Sequence, residues 1–237
     1  MVRFRPNSNI SITAAYTFSK ALDIIHDSVA PFGGASTTSA VVADPLTGEP
    51  NNQLEYGRAV FDRPHAFSSS FVYRLPKLVK NKYAGIIING FQLSAIVLLQ
   101  TGNPFAIFAG ADLNRDGVNN DRPDLINPDL LVLTYNDPNV IIPRAAFNGA
   151  LTTAPRVGTL GRNVFRRDSV QNLDLAAAKR FNLTERYRID FRAEIFNVFN
   201  RTQFDQPNGT LSSATFGQIT AQANNPRNIR FSLKFFF

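Results

Sequence analysis

The chain has 237 residues, with 25 Lys+Arg against 18 Asp+Glu, a net charge of +7 and a pI near 10.0. It has no Cys and no Trp, but 21 Phe and 44% hydrophobic residues, which excludes disulfide scaffolds, thiolate metal sites, cysteine nucleophiles and wholesale disorder. The longest aliphatic run, Ala95 to Leu99, falls far short of the roughly 20 residues of a membrane-spanning helix. Met1 to Ile10 lacks the apolar stretch of a secretory signal.

Six segments alternate at period 2, the mark of strands with two unlike faces. From Asn9 to Ser19, Ile10, Ile12, Ala14, Tyr16 and Phe18 share a face opposite Ser11, Thr13 and Thr17. Next, Phe67, Phe71, Tyr73 and Leu75 oppose Ser68, Ser70 and Arg74, with Ser69 and Val72 out of pattern. Phe91, Leu93, Ala95, Val97 and Leu99 oppose Gln92, Ser94 and Gln100. Leu173, Leu175, Ala177 and Phe181 oppose Asn172, Asp174 and Arg180. Tyr187, Ile189, Phe191, Ala193 and Ile195 oppose an unbroken charged row, Arg186, Arg188, Asp190, Arg192 and Glu194, which suits a wet face and not a packed core. Finally, Ile229, Phe231, Leu233, Phe235 and Phe237 oppose Arg230, Ser232 and Lys234. No window carries a helical stripe over three turns, so the spacing predicts an all-β chain, an antiparallel meander of about six long strands.

The links alternate in length. Pro76 to Ala84 and Asn182 to Glu185 are short; Ala21 to Val60, Gly102 to Arg167 and Asn200 to Pro226 are long and rich in Asn, Asp, Gly, Pro and Thr. Short turns at one end and long loops at the other, with strands near the 9 to 11 residues that cross an outer membrane, characterise a transmembrane β-barrel. A soluble antiparallel sandwich also alternates its faces. Aromatics near the strand ends, the two-sign charged row and a terminal aromatic in register favour the membrane reading.

Several stretches resemble the TonB-dependent outer-membrane transporters, in the Oar-like branch that bears a carboxypeptidase-regulatory-like domain. They are Ala15 to Leu22 (AYTFSKAL), Phe61 to Phe67 (FDRPHAF), Gly90 to Phe105 (GFQLSAIVLLQTGNPF), Gly158 to Asn163 (GTLGRN), Tyr187 to Phe199 (YRIDFRAEIFNVF) and Pro226 to Phe237 (PRNIRFSLKFFF). The resemblance implies a bacterial outer-membrane location and energy-coupled uptake of an unidentified substrate, with TonB, outer-membrane lipid and the barrel insertion machinery as partners. The terminal Phe237 is similar to the signal that machinery reads. It further implies a complete protein with a signal peptide, a TonB-binding segment, a plug domain and a barrel of about 22 strands. Residues 1–237 are then expected to be the C-terminal segment of that barrel, without the signal peptide, plug and N-terminal strands. The three long loops are expected to be extracellular and the short turns periplasmic. The alternative function is a non-transporting surface adhesin or a calcium-ordered binding barrel.

The sharpest local motif is Asp112-Leu113-Asn114-Arg115-Asp116-Gly117-Val118. It matches the first half of a calcium loop, with side-chain oxygens from Asp112, Asn114 and Asp116, a turn Gly at position 6 and the carbonyl of Val118 at position 7. Pro123 stands where a bidentate Glu belongs, so Asp121 or Asp124 is the substitute ligand; the same residues also build turns without a metal. No other cofactor is expected. The basic stretch Arg156 to Arg167 lacks the stacking aromatics or fold of a nucleic-acid surface, and its arginines are expected to extend to water or headgroups. With two His, His26 and His65, and no hydrolase or phosphate-loop motif, the chain reads as a non-enzyme. Asp190 and Glu194 share a face with Arg188 and Arg192 and are expected to form a lumenal ion-pair ladder.

Overall fold

The computed structural model describes residues 1–24, 52–117, 119, 121–131, 135, 142–150 and 155–237. Seven strands form one antiparallel sheet in chain order. They are β1 (Val2–Asn7), β2 (Ile10–Phe18), β3 (His65–Arg74), β4 (Phe91–Gln100), β5 (Val170–Asn182), β6 (Arg188–Phe196) and β7 (Asn228–Phe236). The six alternating segments are β2 to β7. The first strand, β1, was not foreseen, because Val2 and Phe4 are its only alternating apolar residues and Pro6 interrupts it. Pro is tolerated there since Pro6 falls in the register irregularity between Phe4 and Asn7. The sheet is open, with β1 and β7 as its edges.

The register sorts the side chains. Val2 pairs with Ala14 and Phe4 with Ile12; Ile12 pairs with Phe71, and Tyr16 with Phe67. Phe71 pairs with Ala95 and Phe67 with Leu99; Ala95 pairs with Leu175 and Val97 with Leu173. Leu175 pairs with Ile195 and Ala177 with Ala193, and these pair with Ile229 and Phe231. Paired residues share a face, so one face is apolar from edge to edge. The other carries Arg3, Thr13, Ser70, Ser94, Asp174, Arg192 and Ser232. Ion pairs on it keep one rung of the expected ladder, Arg192 with Glu194, and replace the other. Asp190 bonds Arg180 on the neighbouring strand at 2.7 Å, Arg192 bonds Glu194 at 2.7 Å, and Arg188 lies over the Phe236 ring at 4.0 Å.

The links Ser8–Asn9, 75–90 and 183–187 lie at one end of the sheet; the long links after β2, β4 and β6 lie at the other. The second short link is longer than expected, because Lys82–Ile88 coils into a helix, α1. Seven residues are too few for a three-turn stripe, which is why no helix was read there. Asn81 caps it, its side chain accepting from the amides of Tyr83 and Ala84 at 3.0 and 3.1 Å.

Candidate functional site

Three features bear on function: the apolar face, the cap built by the long links, and the Asp112 loop. The apolar face is open to its surroundings, with Phe231 72%, Leu233 69%, Leu93 41%, Leu99 44% and Phe235 54% exposed. Water would charge heavily for so wide an apolar surface, and lipid would not. Amphipathic rings gather at both ends of it. At the long-link end the Tyr16 hydroxyl meets His65 Nδ1 at 2.8 Å and Phe18 lies 5.2 Å from the same ring. At the turn end Tyr187 stacks on Phe235 at 6.0 Å, and Phe235 on Phe237 at 5.9 Å. Phe237 is exposed there, beside the 183–187 turn.

The long links fold into a cap with its own core: Phe105, Ile107, Ile142, Ala146, Phe147, Leu160, Phe165, Leu211, Phe216 and Ile219. Part of the Phe excess therefore packs inside the loops, while another part covers the outer face. Short pairings fold the link after β4 on itself, Pro104–Phe105 with Phe165–Arg166 and Asp124–Leu125 with Phe147–Asn148, and a bridge between Phe108 and Thr210 joins it to the link after β6. The cap leaves β6 sharply, because Asn197 and Asn200 both take positive φ and the Asn197 amide group bonds Arg201 and Asn225 carbonyls at 3.0 and 3.1 Å.

Buried ions tie the links together. Glu55, wholly buried, accepts from Arg122 at 2.9 Å; Arg162 donates to the carbonyls of Glu55 and Asp23, each at 3.1 Å, and pairs with the Asp23 carboxylate. Arg166 pairs with Asp62 and donates to the Gly102 carbonyl at 3.1 Å. Arg201 pairs with Asp168 at 2.8 Å. Burial pushes the Asp62 carboxyl up, but the Ala21 amide and Arg166 outweigh it and hold it below the ordinary carboxylate range. The basic stretch thus turns inward: Arg162 and Arg166 meet buried carboxylates, and Arg167 meets Asp205 at 3.1 Å. This corrects the expectation that these arginines extend to water. Half-buried Asp23 and the buried carboxylates of Glu55 and Asp62 supply the counter-charges, and the link between sequence-distant partners is what local reading missed.

In the Asp112 loop, Asp112 accepts from the Asp116 amide at 3.1 Å and the Gly117 amide at 2.9 Å, with Gly117 at φ +88°. Asn114 accepts from the Asp116 amide at 3.1 Å and donates to the Asp116 carboxylate at 2.9 Å. One oxygen of buried Asp121 accepts from the amides of Leu113 and Asn114 at 2.5 and 2.9 Å; the other has no hydrogen-bond partner. Burial, and the nearby charges of Asp116 and Asp112, push the Asp121 carboxyl above its ordinary value against those amide bonds. The structure thus brings Asp112, Asn114, Asp116 and Asp121 together. Val118 lies outside the described residues, as does His26. Asp124 is engaged elsewhere, paired with Arg156 and accepting from the Thr159 amide at 3.1 Å. Among the described residues no group of three or more His, Asp or Glu is placed to hold a metal.

An antiparallel sheet of membrane-crossing length, apolar on one face and polar on the other, with aromatic ends and folded links on one side only, defines an outer-membrane β-barrel wall. A family model described as an outer membrane beta barrel domain matches residues 1–230, and the chain belongs to that family. Its location is the bacterial outer membrane. No curated protein and no solved structure matches the chain.

Proposed function

We propose that this chain is the C-terminal part of the barrel of a TonB-dependent transporter, which takes up a scarce substrate across the outer membrane through energy supplied by TonB and performs no catalysis of its own. The carrying observation is where the family-like stretches meet. Asp62 of FDRPHAF accepts from the Ala21 amide of AYTFSKAL at 2.7 Å, and Arg63 of the same stretch donates to Asn103 of GFQLSAIVLLQTGNPF at 2.6 Å; Arg162 and Asn163 of GTLGRN reach Asp23 and the Arg58 carbonyl, which flank the first two stretches, the latter at 2.6 Å; Asn197 of the FNVF stretch pins the third link. These motifs, distant in sequence, build one cap at the long-link end, read as extracellular. The edges β1 and β7 pair with further strands of the same barrel, because each unpaired backbone group in lipid costs several kcal/mol. Phe237, in register at the turn end, is the residue the insertion machinery reads. The test is co-purification of the complete protein with the periplasmic domain of TonB. Binding supports transport; a complete protein with no plug and no TonB binding overturns it in favour of an adhesin or a binding barrel.

For the Asp112 loop the proposal is a structural Ca²⁺ that orders the cap. The unpaired, buried Asp121 oxygen, whose carboxyl is pushed up partly by Asp112 and Asp116, favours it, since a cation relieves that crowding of negative charge. Calorimetric titration of the complete protein with Ca²⁺ tests this, and absence of heat at roughly millimolar calcium, the weak end of such sites, refutes it.

A further inference from the structure

Lys179 is out of place on the outer face. It pairs with Phe91 and Phe191 in register, in a row that should meet lipid, yet its side chain is only 3% exposed. What covers it is the link before β4. Its ammonium donates to the carbonyls of Ile87, at 2.7 Å, and Asn89, at the C-terminal end of α1, and lies 4.4 Å from the Phe91 ring centroid. The link is therefore folded back over the outer wall of the barrel. Asn89 holds it closed: its side chain accepts from the amides of Leu78 and Val79 at 2.7 and 3.1 Å and donates to the Val79 carbonyl at 2.7 Å. Gly85 leaves the space this needs, since a Cβ there would stand 2.9 Å from the Asn89 amide nitrogen. The outer surface of this folded link is apolar, with Leu78 60%, Tyr83 79% and Ile87 68% exposed. Exposed Lys77 and Lys80 flank it.

We propose that the 75–90 link is a lipid-binding foot. It lies in the headgroup boundary of the periplasmic leaflet, with Leu78, Tyr83 and Ile87 among the upper acyl chains and Lys77 and Lys80 on anionic phospholipid headgroups. Three observations commit it to lipid. The foot is continuous with the lipid-facing row through Lys179; it sits at the turn end, where the bilayer meets water; and an apolar patch flanked by lysines has the chemistry of an in-plane anchor. Lys179 is its positioning residue. A lone ammonium in that row would otherwise face lipid, so its bonds to the helix carbonyls hold the foot against the wall.

The test is Tyr83→Cys labelled with bimane in the complete protein, reconstituted in vesicles of equal phosphatidylcholine and phosphatidylglycerol with bromine on the acyl chains of one lipid or the other. Ala214→Cys, exposed in the cap, is the water-side comparison. The expected result is quenching at position 83 and little at 214, stronger by roughly two-fold when phosphatidylglycerol carries the bromine, as lysine attraction to anionic lipid requires. Lys77→Gln with Lys80→Gln equalises the two lipids, and Lys179→Met lowers quenching at 83 while the barrel still migrates as a folded species on unheated gels. Quenching at 83 no greater than at 214 overturns the proposal, as does a label–label interaction at 83 that reports a second copy in place of lipid.

Discussion

Replacing Phe231 with Arg tests the assignment of the two faces at its most exposed row. Phe231 is 72% exposed at the middle of β7, pairs with Ala193 and stacks on Phe191 with centroids 6.3 Å apart and planes at 20°. An Arg at the bilayer midplane of a barrel costs about 2–4 kcal/mol, and the lost ring pair adds about 1 kcal/mol, so the expected loss is about 3–5 kcal/mol. The matching control is Ala176→Arg, central in β5 on the polar face and directly opposite Glu194. There the new charge meets water and a carboxylate, and the change stays within about 1 kcal/mol of zero. The assay is reversible denaturant unfolding of the complete barrel in phospholipid vesicles. Equal losses for both variants, or a larger loss for Ala176→Arg, would mean that the two faces are assigned the wrong way round or not divided between lipid and water.

Gly158→Ala places a methyl on the Arg122 carbonyl oxygen, with a loss of about 3 kcal/mol in cap stability by thermal melting. Gly117→Ala, at φ +88° with open space around it, costs only about 1 kcal/mol, so similar losses would contradict the cap packing. Arg166→Gln leaves the buried Asp62 carboxylate without its cation, a loss of about 3 kcal/mol that Asp62→Asn in the same chain should largely recover; a double variant as unstable as the single one speaks against the pair. Acid should loosen the cap. Arg156 holds the Asp124 carboxyl below the ordinary 3.8, so its contribution is complete above that value and is lost as the pH falls through its lower folded value. Asp121, pushed up, gives the opposite sign, charging at a cost as the pH rises through its higher folded value. Proteolysis of the cap across the acid range, with Asp124→Asn moving the acid midpoint, measures the first; an unmoved midpoint counts against it.

The strands were legible because a barrel wall writes period 2 into the chain at every crossing. In β7 the alternation survives from Ile229 to Phe235 because lipid and lumen each act on every second residue. Where one face was only locally apolar, as in β1, or where two turns of helix carried three adjacent Ile, as in α1, period gave no warning. The cap was illegible for another reason. Its ion pairs join Asp23, Glu55 and Asp62 to Arg122, Arg162 and Arg166 across long sequence separations, and no local spacing encodes such a partner. The only trace was the repeated Asp-Arg-Pro at Asp62-Arg63-Pro64 and Asp121-Arg122-Pro123, where the first triplet places Asp62 and the second Arg122 in the buried network. Of the Asp112 motif, the turn was legible, and the withdrawal of Asp124 from it was not, because Arg156 takes that carboxylate from another part of the chain.

One face of this sheet meets lipid and the other water. A nitroxide placed in turn at each residue from Asn228 to Phe236, in the complete protein in bilayers, reads it directly from collisions with oxygen and with a water-soluble nickel chelate. Alternation at period 2 is expected, with Ile229, Phe231, Leu233 and Phe235 open to oxygen and Arg230, Ser232 and Lys234 open to the chelate. Chelate access at all nine positions, or the opposite phase, would contradict it.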